Sequence, residues 1–373
     1  MFNFSIDNKN RFLGVDFGTS SIKMVELEYK NGSVFLSNYG WIEIPQRKKI
    51  GDFDLKDRGK ETELMVALLK RLYEKMNLGA KSAHLSMGSY KGLSALINVN
   101  SASLSDLDEI IKLEAGKYIP VSLDEVYLSS DVVSKNKKIK EKTGGEKFIN
   151  FIENKKEEDN ELLEVLLVAA PKEDVHFFED VVTLSGLKVA SFELDVFSAT
   201  RSLIGDSLGT FLIVDIGAKI TNIIFIKKGI IRINRNINIG GDEITKNIAS
   251  SLNVSWERAD EFKKKNDYLK AEGKSIILPI INIIAKESKR VIDLSLNDEE
   301  KYSEVEMIIA GGGAGIFGIK DILAETFKGK ISIADPWKNI IIENDNIREM
   351  ASDIAPTYTV ATGLALKKIL EKK

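Results

Sequence analysis

Twice in this sequence an apolar run ends in an aspartate, one further apolar residue and a glycine. The first copy is Leu13-Gly14-Val15-Asp16-Phe17-Gly18 and the second is Ile213-Val214-Asp215-Ile216-Gly217. Each reads as a buried strand running into a hairpin turn, with Gly18-Thr19-Ser20 as the first turn. A turn of this kind aims consecutive backbone N–H groups at an anion, and glycine lets the backbone approach without a β-carbon. The aspartates cannot hold phosphate themselves, since both groups are anionic. They suit the Mg2+ that neutralises phosphate, held through water because this ion dehydrates reluctantly. Two such turns on opposing halves of a molecule would clamp one polyphosphate from both sides.

Other residues extend that chemistry. Lys23 follows Asp16 on the returning strand. It reads either as a point charge for a phosphate or as a surface strand lysine. The run Ala310-Gly311-Gly312-Gly313-Ala314-Gly315 lies between a strand and a helix. No Gly-Lys-Ser/Thr follows it, which excludes ordinary P-loop chemistry. Taken alone it is equally a packing turn; beside the two Asp-Gly hairpins it becomes an adenosine site, where a flat ring lies on bare backbone. Glu287 and Arg290 share a helix face at i, i+3 spacing, as a surface ion pair or as partners for a ribose and a base. The chain has no cysteine and two distant histidines, His84 and His176. That excludes a disulfide framework, a thiol nucleophile and a histidine-based triad or metal cluster. Trp41, Trp256 and Trp337 are scattered and are expected to pack rather than bind.

The elements that must position these groups follow from periodicity. Strands are predicted over 12–18, 21–29 and 33–44, then a helix over 61–76 with Leu64, Leu68, Leu69 and Leu72 on one face. A strand-like stretch covers 82–99. Ser105 and Asp108 form a capping box before a helix carrying Leu107, Ile110 and Ile111, which Pro120 closes. Strands at 125–133 and 162–170 flank a polar stretch, 134–160, whose Lys, Glu, Asn and Gly content predicts a mobile loop. A helix over 172–184 stops at Gly186. From 210 the opening plan starts again, about 200 residues after its first copy, and predicts two similar lobes. Helices then fill 242–296, a strand leads into the glycine run, a helix begins near Phe317, and another closes the chain over 356–371.

At 373 residues the chain exceeds one ordinary core. With 43% hydrophobic and 29% charged residues it is globular, and its net charge of −3 offers nucleic acid or acidic lipid no global attraction. No apolar run approaches the roughly 20 residues that cross a bilayer, and Met1 to Arg11 lacks the apolar core of a signal peptide.

These residues together resemble the actin, sugar kinase and DnaK-type chaperone superfamily. Within it the sequence is similar to the PilM family, actin-like proteins of type IV pilus assembly related to the division protein FtsA. The motifs are FLGVDFGTSSIKMVEL at the start, EAGKYIP at 114–120, Gly240-Gly241 before a helix, Glu287-x-x-Arg290, ADPW at 334–337 and APTYTVATGLAL near the end. The ending Leu370-Glu371-Lys372-Lys373, directly after a helix, departs from the linked amphipathic anchor of FtsA and favours PilM.

The resemblance implies an α/β, actin-like fold, a ribonuclease H-like unit duplicated into two lobes, with an FtsA/PilM-type extra subdomain. The first lobe would comprise 1–91, 191–209 and 356–373, and the extra subdomain 92–190. The second lobe would comprise 210–241 and 303–355, with a helical subdomain at 242–302. It implies ATP and Mg2+ as cofactors, with Asp16 and Asp215 on the metal side. The first phosphate turn would be Gly18, Thr19, Ser20 and Ser21 with Lys23. The second would be Gly217, Ala218 and Lys219, backed by Gly240 and Gly241, and the adenosine site Gly311, Gly312 and Gly313 with Glu287 and Arg290. Asp195, opening an Asp-x-x-Ser-Ala stretch like the superfamily's connecting helix, is the candidate catalytic residue for any hydrolysis.

The implied function is a nucleotide-linked cytoplasmic scaffold that recruits the N-terminal tail of a PilN-like membrane protein. Its localisation would be peripheral at the inner membrane, through that partner. The alternatives are an FtsA-like filament former in cell division and a component of a type II secretion system.

Overall fold

The computed structural model describes residues 10–45, 57–101, 107–137, 161–264, 273–297 and 300–371. The capping residue Ser105 and residues 138–160 of the expected loop lie outside them. The chain divides into two compact units, one of Met1–Lys91 with Glu173–Lys373 and one of Gly92–Lys172.

The larger unit is built on two five-stranded sheets of matching design. In the first, β1 (Arg11–Phe17), β2 (Ser21–Lys30) and β3 (Ser33–Glu43) form an antiparallel meander, and β4 (Ser82–Met87) and β8 (Lys188–Leu194) extend it in parallel. In the second, β9 (Thr210–Ile216), β10 (Thr221–Lys227) and β11 (Ile230–Ile237) form the meander, and β12 (Val305–Ala310) and β13 (Lys330–Ile333) are the parallel additions. The correspondence reaches single residues. Asp16 lies opposite Lys23 across the first hairpin and Asp215 lies opposite Asn222 across the second. The register shifts between Glu26 and Leu27 in one sheet and between Phe225 and Ile226 in the other, at the same distance from each aspartate. Asn31-Gly32 and Lys228-Gly229, all at positive φ, close the outer hairpins, the turn geometry that matches strand twist. The repeat seen in the sequence is therefore a repeat of backbone.

Helices cover the sheets with their apolar faces. α1 (Arg58–Met76) is capped by the Asp57 carboxylate, which accepts from Gly59 N–H, and buries Met65, Leu69, Leu72 and Met76. Leu64 and Leu68, expected on that face, are only half buried. The two methionines complete a better i, i+4, i+7 row than the leucines alone. The second lobe packs α5 (Gly241–Leu252), α6 (Trp256–Lys264), α7 (Gly273–Ser295) and the short α8 (Ile319–Ala324) with its sheet around Val214, Phe225, Ile284 and Ile309. α9 (Asp345–Ile354), capped by Asn344, precedes the final helix.

α4 (Asp195–Leu203) and α10 (Thr359–Leu370) cross at backbone contact. A β-carbon on Gly363 would fall 1.9 Å from Ser198 O, and one on Gly14 of β1 would fall 2.0 Å from Ala361 O. α10 is thus wedged between a strand and a helix with no room for side chains. The crossing is also tied by charge. Glu193 accepts from Arg201 at 2.6 and 3.0 Å and from Ser198 at 2.6 Å, and pairs with Lys367 at 3.0 Å. Burial works against the charge on Glu193, but Arg201, Lys367 and Ser198 outweigh it and hold its carboxyl below the ordinary range.

The smaller unit is a three-stranded antiparallel sheet. β5 (Leu93–Ser101) and β6 (Val126–Lys137) flank β7 (Glu161–Pro171). α2 (Leu107–Ala115) covers one face through Ile111 and Ala115 against Val165 and Leu167. This unit ends at Lys172, whereas the sequence grouping ran to 190. α3 (Lys172–Leu184) and β8 fall with the larger unit because β8 takes an edge of the first sheet beside β4.

The glycine contact gives a direct test. Gly363→Ala should lower stability by about 3 kcal/mol, the upper end of overpacking penalties, because backbone rather than a flexible side chain occupies the space. Urea unfolding measures it, and an unchanged midpoint would mean that the two helices can separate freely.

Candidate functional site

Both Asp-Gly hairpins open onto a single cleft of about 950 Å³ between the two lobes. The turns themselves are alike: Gly18 N–H donates to Ser21 O at 3.0 Å and Gly217 N–H donates to Ile220 O at 2.9 Å. Asp16, Gly18, Thr19, Ser20, Ser21 and Lys23 line one side. Asp215, Gly217, Ala218 and Gly241 line the other, and Asp195 and Gly311, Gly312 and Gly313 complete the wall. Lys219, Gly240, Glu287 and Arg290 stand outside this lining. Lys219 is exposed at the turn. Gly240 packs so closely on the second hairpin that a β-carbon would sit 2.5 Å from Ala218 O. Glu287 pairs with Arg235 of β11 at 2.5 Å, and Arg290 is exposed.

The electrostatics of the two halves differ. Asp16 accepts from the Ser86 hydroxyl at 2.9 Å and has the Lys23 ammonium at 3.6 Å. Asp215 occupies the equivalent place but faces the neutral Asn222. Burial first, and then the negative charge of Asp16, push the Asp215 carboxyl up to about 6, with Lys23 as the opposing influence. Asp195, at the first turn of α4, accepts from Ser89 N–H at 2.9 Å and from Asn222 Nδ2 at 3.0 Å. Burial, followed by the charge of Asp215, raises its carboxyl to about 7. Three carboxylates thus share a cleft with one lysine close to Asp16, a local excess of negative charge that a cation would relieve.

The residues present fit a magnesium nucleotide. Among the described residues no group of three or more His, Cys, Asp or Glu is arranged to hold a metal. Mg2+ is a hard ion that dehydrates reluctantly and commonly takes one or two carboxylates together with water and phosphate oxygens. The glycine run supplies bare backbone. A β-carbon on Gly311, at φ +76°, would lie 2.3 Å from an Asp215 carboxylate oxygen, while Gly312 has nothing within 4 Å of its own. The turn is therefore closed on the aspartate side and open beside Gly312. Asn222 Oδ1, buried without a partner among the described residues, adds an unused acceptor on a residue that lines the cleft.

Several lining residues left little mark in the sequence. Trp41, 58% exposed, and Trp256 line the cleft from opposite lobes, which corrects the expectation that all three tryptophans pack. Trp337 does pack, stacked on Tyr358 at 5.6 Å between ring centres. Lys263 is buried, with its ammonium 2.7 Å from Asp260 and 2.7 Å from the Thr245 hydroxyl, and it donates to Gly241 O at 3.2 Å. It ties α6 to the first turn of α5, whose Gly241 and Asp242 N–H groups donate to Gly217 O and Ala218 O of the second hairpin. The signal was present, since Trp256, Asp260, Lys263 and Lys264 share one face of α6, but a polar helix face alone reads as solvated surface. His84 is buried and lies 2.8 Å from the Ser191 hydroxyl, while His176 is exposed beside Glu179.

The family described as type IV pilus assembly protein PilM matches residues 14–144 and 145–369. The chain belongs to the PilM family. Curated relatives include the cell division protein FtsA of Helicobacter pylori, 23% identical over 97% of this chain and 82% of the relative. FtsA of Bacillus subtilis is 21% identical over 89% of this chain and 80% of the relative. Among solved structures, a PilM–PilN type IV pilus biogenesis complex superposes with a TM-score of 0.76 at 20% identity, covering 96% of this chain and 98% of that one. MreB5 of Spiroplasma citri bound to ADP gives a TM-score of 0.50 at 15% identity, covering 98% and 97%. These likenesses establish an actin-like ATPase fold.

Asp195 carries a pH signature. The folded chain binds its proton up to about pH 7, whereas an unfolded aspartate releases it near pH 4. The folded state therefore holds more protons between those limits, and stability falls as pH rises through them. Asp195→Asn avoids the buried charge, and a turned Asn222 amide can accept from it. Without divalent cations, the variant should gain on the parent by a few kcal/mol, on the order of 1.4 per pK unit, between pH 5 and 8. Chemical denaturation at both pH values measures this, and parallel curves would refute it.

Proposed function

We propose that the chain is an ATP-binding scaffold of a type IV pilus assembly platform. Mg2+-ATP in the cleft closes the two lobes, and that closure is linked to recruitment of the cytoplasmic N-terminal tail of a PilN-like membrane protein. The observation that carries the reading is the convergence of Asp16 and Asp215, from equivalent strand ends of the two sheets, on one cleft walled by bare glycine backbone. Mg2+ would neutralise phosphate charge there. Gly18 to Ser21 and Gly217 to Lys219 would present the backbone of the two phosphate turns, and Lys23 would supply the positive charge beside Asp16. Gly311 to Gly313 would take the adenosine, with Gly240 and Gly241 backing the second turn; Glu287, paired with Arg235, and Arg290 stand outside the cleft lining and are given no contact with the nucleotide.

Asp195 is the residue for any hydrolysis. Its carboxylate, raised to about 7, is suited to accept a proton near neutral pH. Its oxygens are already engaged by Ser89 and Asn222, which supports slow turnover rather than an efficient catalyst. The partner assignment is supported by the family match and by the PilM–PilN complex among the structural neighbours. Among the described residues no helix is long and apolar enough to cross a membrane, so membrane association would come through that partner, with the chain itself on the cytoplasmic side.

The similarity to FtsA over most of the chain supports a second reading, a filament-forming actin homologue. Sedimentation with and without Mg2+-ATP separates the two: a scaffold stays in the supernatant and a filament pellets.

Calorimetric titration with Mg2+-ATP should give binding that Asp16→Ala and Asp215→Ala each weaken at least about tenfold, or 1.4 kcal/mol. Parent-like affinity in both variants would remove the site. Capture of the chain by an immobilised PilN-like tail peptide should be stronger with Mg2+-ATP than without. Capture that ignores the nucleotide would remove the linkage and leave the partner.

A further inference from the structure

The four residues Gly88 to Lys91 form a tight turn, closed by Lys91 N–H donating to Gly88 O at 2.9 Å. It lies between β4 and the start of the small unit at Gly92. Each residue is engaged. Gly88 and Tyr90 line the cleft, and a β-carbon on Gly88 would strike the Tyr90 ring at 2.2 Å. Ser89 is buried; its N–H donates to Asp195 and its hydroxyl donates to Asn236 Oδ1 at 3.1 Å. Lys91 pairs with Asp174 at 2.6 Å, joining the residues at which the chain leaves for the small unit and returns from it. Asp174 is held a second time, by Arg58 at 3.1 Å.

Two of these bonds cross between the lobes. Ser89 and Asp195 sit with the first sheet, while Asn236 on β11 and Asn222 on β10 belong to the second. Ser89–Asn236 and Asp195–Asn222 therefore exist only while the lobes are held together, which supplies the differential contact that any coupled two-state element requires. A ligand that bridges the two hairpin turns favours that state. The turn is short and closed on itself by the bond from Lys91 N–H to Gly88 O.

We propose that the Gly88–Lys91 turn transmits occupancy of the cleft to the root of the small unit, Ser89 sensing closure of the lobes and the Lys91–Asp174 pair passing it to the ends of β5 and β7. This rests on the nucleotide reading above and specifies how the same site is regulated. Lys91 and Asn236 are positioning residues; neither lines the cleft.

Hydrogen exchange of the full chain, with and without saturating Mg2+-ATP, tests the route. In the parent, nucleotide should slow exchange in β5 and β7 by about fivefold or more, the lower end of common couplings. Lys91→Met leaves Asp174 its Arg58 partner and should fold. Its ATP affinity should stay within about twofold of the parent, while the slowing in β5 and β7, the coupling itself, is lost. Asn236→Ala cuts the other end of the route and should lose the slowing too. Retention of the slowing in both variants would overturn the proposal. Parent protein that binds ATP without any response in β5 or β7 would overturn the coupling alone, whereas parent protein that does not bind ATP would overturn the nucleotide reading and the coupling with it.

Discussion

Negative charge crowded into one cleft is the constraint on which the rest of this structure turns. Asp16, Asp195 and Asp215 converge on one cleft, burial makes ionisation of Asp195 and Asp215 unfavourable, and Lys23 stands beside Asp16. A fold tolerates such a cluster only if the surrounding backbone is held independently of it. Here that support comes from the two sheets, each pinned by ladders on both sides of its aspartate-bearing strand. The charges are thus positioned by hydrophobic strands that gain nothing from them.

Duplication explains why the cluster is asymmetric in a symmetric frame. Strand order, hairpin register and bulge position are shared by the lobes, so Lys23 and Asn222 occupy the same place. A lysine on one side and an amide on the other make one aspartate paired and its twin exposed to an uncompensated field. Asn222 spends its donor on Asp195, which turns the second hairpin toward the connecting helix and fastens the lobes to each other as well as to the cleft.

Beneath the cleft, the α4–α10 crossing sets how firmly the lobes' common floor is held. Gly14 and Gly363 remove side chains so that strand, helix and helix meet at backbone distance, and Glu193 gathers Arg201, Ser198 and Lys367 around that contact. Apolar packing and a satisfied buried carboxylate act on the same joint. The tail motif that identified the family in the sequence is this wedge.

Much of the fold was legible because it rests on local pattern. The apolar runs of β1 and β9, the hairpins that follow, the boundaries of α3 and the glycine turn after β12 can all be read from periodicity and turn chemistry, which depend on neighbours in the chain. β8, β13 and α9 were not. The first two are short parallel strands whose partners lie far away in sequence, and α9 buries no residue of its own. The same divide runs through the site. Residue type and spacing singled out Asp16, Asp215, Lys23 and the glycines, since only such residues make an anion-binding turn. That Trp41, Trp256 and Lys263 meet the same cleft, that Glu287 turns to Arg235, and that Ser89 reaches Asn236 were decided by tertiary structure alone. Those contacts join side chains from separate elements, and no local periodicity records which of them the packing of two sheets will bring within a few ångströms.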